Sequence, residues 1–245
     1  MSYRDIALAL MSWVGINTAS ALHSWYRAWN EDDELVELDV RVSIIIPAWY
    51  EPEEILRKSI ESVHSQNIVK AYRDRFEIIV VNGELPEWIY EYADKVLYSP
   101  RGKLNARHLA TQHAAGDIIV SIDADTIYPC NFINLLLKPF SEPDVVATTT
   151  NTWLGGFEPL INLFKHIHYG SKMLGRGSAY WRWAYYAVGG FDLSVNQEVP
   201  EEMVVEEEIN FFKKLSQIGR VVYVDAPAIH LGEELPTRGI RWRPS

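Results

Sequence analysis

Ile118-Ile119-Val120-Ser121-Ile122 is the stretch that most constrains this chain. A short, nearly unbroken run of β-branched residues reads as a strand buried on both faces, bounded by Gly116-Asp117 before it and Pro129 after it. Asp123 and Asp125 stand at its carboxyl end. In open α/β sheets, ligands bind at the carboxyl ends of strands. Two carboxylates facing one cleft repel each other unless a cation sits between them. Hard oxygen ligands with open positions suit Mg2+ or Mn2+ carrying phosphates. An Asp-rich surface turn has the same letters, so the pair alone leaves both readings open.

The rest of the chain alternates strand and helix. Val42–Ile46 reads as a strand stopped by Pro47, and Pro52 starts a helix through Ile55, Leu56, Ile60 and Val63. Phe76–Val81 is a second strand, Lys103–Ala115 a helix, and Val145–Thr150 a further strand. Asn131 is placed to cap a helix through Phe132, Leu135 and Leu136. This rhythm predicts an α/β fold with a mostly parallel sheet and helices on both faces. With 245 residues, one large domain suffices. We expect an N-terminal helical segment and acidic linker over residues 1–40, and the α/β domain over 41–245.

Charge narrows the function. A net charge of -10 argues against a broad nucleic-acid surface, which needs Lys/Arg patches. It leaves nucleotide binding open, because a cation can neutralise phosphates. The single cysteine, Cys130, excludes an intrachain disulfide and Cys-based metal clusters, and fits a reducing compartment. From Ile6 to Tyr26 there is no Asp, Glu, Lys or Arg, yet Asn17, Thr18, Ser20, His23 and Ser24 dilute the second half. A packed helix, an interfacial helix with Trp25 and Trp29 at the headgroups, and a membrane span all stay open. Glu31-Asp32-Asp33-Glu34 reads as a solvated linker. The location expected is cytoplasmic, with peripheral membrane contact through residues 6–29 as the open addition.

Several ordered motifs now resemble one family. Val42–Glu51 (VSIIIPAWYE) resembles an opening strand and Pro-Ala-Tyr-Asn-Glu turn, and Arg101-Gly102-Lys103 resembles a Gly-Lys helix start. Gly189-Gly190-Phe191-Asp192 resembles a Gly-Gly-Phe-Asp turn, Glu207-Glu208 a Glu-Asp pair, and Arg238–Trp242 a Gln-x-x-Arg-Trp motif. Together, from about Val42 to Trp242, the chain resembles the family 2 glycosyltransferases of GT-A fold, nearest to the cellulose, chitin and hyaluronan synthase branch. The resemblance implies an inverting, metal-dependent hexosyltransferase. It would move a hexose from a nucleotide-sugar, UDP first and GDP second, to a hydroxyl of a glycan or lipid-linked acceptor.

The resemblance also assigns residues. Asp125 and Asp123 would hold Mn2+ or Mg2+, with His230 as a third ligand or a hydrogen-bonded structural histidine. Glu208, or its neighbour Glu207, would be the general base. The alternative is that Glu206–Glu208 form an acidic first helical turn favoured by the helix dipole. Pro47, Ala48, Glu51, Asn82, Lys103 and Asp123 would border the nucleotide-sugar, with Arg238 and Arg241 on the diphosphate. Asn82 stands where relatives carry a carboxylate, which leaves the base open. Gly190, Phe191, Asp192 and Trp242 would meet the acceptor. Trp181 and Trp183 would stack on it or pack in the core, since Tyr180–Trp183 alternate like a strand. The sequence ends three residues after Trp242, so a single transfer or short extension is expected rather than polymer extrusion. Two other classes compete. One is a non-catalytic nucleotide-sugar-binding module. The other is a haloacid-dehalogenase-like phosphatase with Asp123 as nucleophile.

Overall fold

The computed structural model describes residues 23–30, 33–49, 51–82, 86–100, 102–150, 177–196 and 201–231. The chain runs through α1 (residues 23–29), β1 (Val42–Pro47), α2 (Glu53–His64), α3 (Asn67–Ala71), β2 (Phe76–Asn82), α4 (Ile89–Tyr92) and β3 (Lys95–Tyr98). It continues through α5 (Lys103–His113), β4 (Ile118–Ile122), β5 (Thr126–Ile127), α6 (Phe132–Leu137) and β6 (Val145–Thr150). The last described elements are β7 (Gly177–Trp181), α7 (Arg182–Ala187), α8 (Glu201–Leu215), β8 (Arg220–Val224) and β9 (Ile229–His230).

Among the described residues seven strands form one sheet, in the order β3-β2-β1-β4-β7-β6-β8. Strand β7 runs antiparallel between β4 and β6, and the other pairings are parallel. The side-chain period of two sorts each strand's residues onto two faces. Ile44, Ile46, Val120 and Ile122 pack beside Leu56, Ile60, Phe132 and Leu136 of α2 and α6. Ile45, Ile79 and Ile119 pack beside Leu104, Ala110, Phe211 and Leu215 of α5 and α8. The sheet therefore carries helices on both faces, as the strand–helix rhythm predicts, and apolar burial on each face supplies the driving force. No helix among the described residues is long and apolar enough to cross a membrane.

Four local expectations are corrected. The alternation read through Tyr180–Trp183 stops at Trp181, and α7 begins at Arg182. Trp181 pairs with Ile118 at the amino end of β4, four residues or ~13 Å from Ile122 at strand rise. Trp181 and Trp183 thus lie at the end of the sheet opposite Asp123, and the Trp181 Nε1 donates to the Val145 carbonyl. Helix α8 begins at Glu201, so Glu206–Glu208 lie in its second turn and not at a positive helix end. Asn131 stands at the N-cap of α6 but does not cap it. Its Nδ2 donates to the Arg27 carbonyl and to Asp33 instead.

That last contact belongs to a fourth correction. Asp33 is not a solvated linker residue: Lys138 Nζ meets its carboxylate at 2.9 Å. Burial alone raises its pKa, but Lys138 and Asn131 outweigh that and hold it below the usual carboxylate value. The Asn134 side chain bonds the Glu34 carbonyl and the Val36 N–H, and the Asn131 N–H bonds the Ala28 carbonyl. Buried Ser24 donates to Asp225. The segment before β1 is therefore strapped across α6 and the end of β8 by polar contacts, some to backbone groups and some between side chains.

Gln66 pins the other side of this region. Fully buried, it donates to the carbonyls of Ser62, Tyr128 and Pro129 and accepts the Ile133 N–H at 2.9 Å. Gln66→Leu strands several buried backbone groups. Each costs ~1–3 kcal/mol, so we expect a loss of about 2–4 kcal/mol in urea denaturation. A midpoint equal to the wild type's would show that the pin is dispensable.

Candidate active site

Strand β4 delivers Asp123 to the rim, and the turn that follows is fixed from below. The Tyr128 hydroxyl accepts the Asp123 N–H at 2.7 Å and donates to the Asp123 carbonyl at 3.2 Å. Burial, with the Asp123 charge added, pushes the Tyr128 pKa well above its usual value, so the hydroxyl stays neutral. Strand β5 then pairs with β9, placing the backbone of His230 opposite Thr126. The Leu231 N–H donates to the Asp125 carbonyl at 2.8 Å. The candidate ligand position at His230 thus lies beside the Asp-x-Asp turn through backbone pairing.

Helix α5 supplies the cations. It starts after Gly102, whose φ of 124° lies where side chains with a Cβ are strained. Lys103 and Arg107 stand four residues apart and so share one helix face. Lys103 Nζ lies 2.7 Å from Asp123 Oδ1 and 3.9 Å from Glu208 Oε1. Arg107 is buried. Its Nη2 meets Asp123 Oδ1 at 3.3 Å and its Nη1 pairs with Glu208 Oε1. Burial alone lowers the guanidinium pKa, but the Glu208 and Asp123 charges more than reverse this. A guanidinium buried this way stays charged. Removing one partner of such a pair typically costs ~3–5 kcal/mol. Arg107 was not singled out from the sequence. The signal was present, since it stands one turn after Lys103 on the apolar side of α5, with Leu104, Ala110 and Thr111 also buried.

Glu207 and Glu208 take different directions. Glu207 is buried, accepts the Asp192 N–H at 2.7 Å, and lies 3.5 Å from Lys214 Nζ. It fastens the Gly189–Asp192 turn to α8. A Cβ on Gly190 would lie 2.6 Å from the Tyr185 ring, and its φ of 66° is left-handed, so that turn needs glycine. Phe191 is buried against Tyr185 and Phe211, which makes it a core residue below the site. Asp192 is exposed, and its Oδ1 accepts from the N–H and hydroxyl of Ser194, which hold its pKa low. Glu208 faces the cations and, through them, Asp123.

The nucleotide side is built on the ends of β1 and β2. Ala48 is buried and donates its N–H to the Val81 carbonyl at 2.9 Å, while Pro47 pairs with Val81 and Asn82 closes β2. Glu51 Oε2 accepts the Trp49 N–H. Burial raises the Glu51 pKa, and the charges of Asp125 and Asp123 add to that. Three carboxylates therefore crowd one rim. Among the described residues no three His, Cys, Asp or Glu side chains form a ready metal cage. Mg2+ and Mn2+ often take only one or two protein carboxylates, with water and phosphate completing the shell, so Asp123 and Asp125 fit that donor set. The expectations at Arg238, Arg241 and Trp242 lie outside the described residues.

This mostly parallel sheet, with acidic groups gathered at the carboxyl end of its central strand, has the GT-A fold. The chain belongs to glycosyl transferase family 2, whose sequence profile matches residues 43–186. It is 28% identical over 133 residues to an N-acetylglucosaminyltransferase of Bradyrhizobium elkanii, covering 46% of this chain and 71% of that one. Its fold is similar to a mannosyltransferase of Pyrobaculum calidifontis solved with GDP-Man and Mn2+, with a TM-score of 0.60 and 19% identity. That likeness covers 94% of this chain and 68% of the other. A second likeness is the glucosyl-3-phosphoglycerate synthase of Mycobacterium tuberculosis solved with Mn2+, UDP and phosphoglyceric acid. There the TM-score is 0.53 and the identity 19%, over 78% of this chain and 71% of that one. The phosphatase reading of Asp123 falls, because the family match spans β1, β2 and β4 together.

The crowding at Glu51 has a pH signature. Its folded pKa lies above the ordinary value, so the native state gives up the Glu51 proton less readily than the unfolded chain does. The cost of ionising it is absent at acid pH and grows as pH rises through the folded value. Glu51→Gln should therefore melt higher than the wild type at neutral pH without added metal, with the gap closing toward pH 4. A gap of constant size from pH 4 to 8 would contradict this.

Proposed function

We propose that this chain is an inverting, divalent-cation-dependent hexosyltransferase. It would use a UDP-sugar first and a GDP-sugar second, with a glycan or lipid-linked hydroxyl as acceptor. The observation that carries the reading is Glu208, held across from Asp123 by Lys103 and Arg107. A base and a donor-side carboxylate set on one cationic hinge suit displacement at an anomeric carbon. Glu208 takes the proton of the acceptor hydroxyl, whose oxygen forms the new bond to that carbon. The bond to the diphosphate breaks on the opposite face, the electron pair leaves with the phosphate, and the configuration inverts. A bound Mn2+ or Mg2+ at Asp123 and Asp125 supplies Lewis-acid stabilisation of the leaving diphosphate. Lys103, partly exposed beside Asp123, adds positive charge on the same side.

Glu207 is bonded into the Asp192 turn, which favours Glu208 as the base. Pro47, Ala48 and Asn82 border the nucleotide in this reading, with His230 beside the metal and Arg238 and Arg241 on the diphosphate. Gly190, Asp192 and Trp242 belong to the acceptor side, and the Arg-Trp element supports the synthase-branch kinship. Residues 41–245 form the catalytic unit and 1–40 the leading segment. Tyr26 and Trp29 are exposed on α1, which supports peripheral bilayer contact through residues 6–29 at a cytoplasmic location. One observation favours the binding-module alternative: the Glu208 carboxylate is already engaged by the buried Arg107 guanidinium.

A thermal-shift panel separates the two. UDP with Mn2+ should raise the melting temperature, by about 2.7 kcal/mol of apparent stability at a hundredfold excess over the dissociation constant. Asp125→Asn should remove the Mn2+-dependent part. Glu208→Gln should keep the shift and lose about 100-fold or more in transfer. If Glu208→Gln transferred sugar at the wild-type rate, Glu208 would not be the base. If no nucleotide shifted the protein with cation present, the donor site would fall.

A further inference from the structure

We propose that Arg107 is a positioning residue for the base. Its guanidinium fixes the direction of the Glu208 carboxylate relative to Asp123 and so ties the acceptor side of the site to the donor side. The inference rests on the reading of Glu208 as the base. Four observations carry it. First, one planar group spans two carboxylates from distant parts of the chain, Nη1 to Glu208 and Nη2 to Asp123 at 3.3 Å. A rigid fork sets their relative angle, which a lysine's single ammonium cannot do. Second, both cationic contacts of Glu208 go to Oε1. Among the described residues Oε2 takes no hydrogen bond, which leaves it for a hydroxyl proton.

Third, the two carboxylates depend on Arg107 unequally. Asp123 keeps Lys103 at 2.7 Å, whereas among the described residues Glu208 has only Lys103 at 3.9 Å besides Arg107. Loss of the guanidinium releases Glu208 far more than Asp123. Fourth, Arg107 is held where it does not satisfy itself. Its carbonyl accepts the Thr111 hydroxyl at 2.8 Å, which contacts the Tyr180 hydroxyl at 3.1 Å. Yet Arg107 Nε and Ser121 Oγ are both buried without a hydrogen-bond partner among the described residues. Both residues line one small hollow with Ser178, Phe191, Glu208 and Phe212. Buried polar atoms are usually paired, so an orphaned Nε argues that the placement serves the two carboxylates and not the local packing.

The test is a mutant cycle on the full chain with Mn2+ and UDP-N-acetylglucosamine, read as release of UDP. GDP-mannose replaces that donor if the nucleotide panel selects GDP. Arg107→Met should lower kcat by about 100-fold, as expected when a general base is misaligned, while the dissociation constant of the nucleotide with Mn2+ changes less than about threefold. Arg107→Lys should recover about a tenth of the wild-type rate, since charge returns without the fork. Because Arg107 acts through Glu208, R107M with E208Q should be no slower than E208Q alone. Full kcat in R107M, additive losses in the double variant, or equal loss of nucleotide binding would each overturn the proposal. Should R107M fail to melt cooperatively, R107K takes its place in the cycle under the same criteria. Failure of the underlying reading looks different: E208Q itself would then turn over at the wild-type rate.

Discussion

Like charges gathered at one end of a buried strand organise this molecule. Strand β4 is wholly apolar up to Ser121, so it sits in the middle of the sheet and ends abruptly at the rim. Asp123 and Asp125 follow at once, and Glu51 closes in from the neighbouring strand end. Such a cluster would repel itself apart in a low dielectric. Lys103 and Arg107 offset part of that repulsion, and Tyr128 fixes the turn through the Asp123 backbone rather than through its carboxylate. A surplus of negative charge is left at the rim. The natural complement to that surplus is a divalent cation that brings its own phosphates, and this is why the rim suits nucleotide-sugar chemistry.

The sequence disclosed the sheet because burial on both faces writes itself into letters. Strands β1, β2, β4 and β6 are runs of Ile, Val and Thr, and no amphipathic helix competes for those segments. Strand β3 was not read: Lys95–Tyr98 is short, half-exposed and at the sheet's edge. The two-residue strands β5 and β9 exist only through their mutual pairing, so nothing local marks them. At the site, Asp123, Asp125, Lys103 and Glu208 were legible from spacing and resemblance. Arg107 was passed over although it stands one turn after Lys103 on the apolar side of α5, because only tertiary contacts reveal the two carboxylates it pairs with. The acidic linker failed in the same way. Glu31–Glu34 has the composition of a solvated run, and only Lys138 and Asn131, a hundred residues on, make Asp33 a structural anchor.

Adjacent carboxylates on α8 show how one helix performs two tasks. Successive residues on a helix differ by about 100° in direction, so Glu207 and Glu208 cannot face the same wall. Glu207 turns toward the glycine turn and takes the Asp192 N–H. Glu208 turns toward α5 and meets Arg107. The first contact fixes the rotation of the helix and therefore the aim of the second. Stacked beneath them, Phe191, Phe211, Tyr180 and Tyr185 form a packed aromatic floor that resists axial slip of α8. The Glu208 side chain is thus directed toward α5 in part by its own neighbour in sequence, with Arg107 holding its far end. The Gly189–Asp192 turn and the Glu208 carboxylate are joined through α8, because Glu207 binds the turn and Glu208 follows it in sequence.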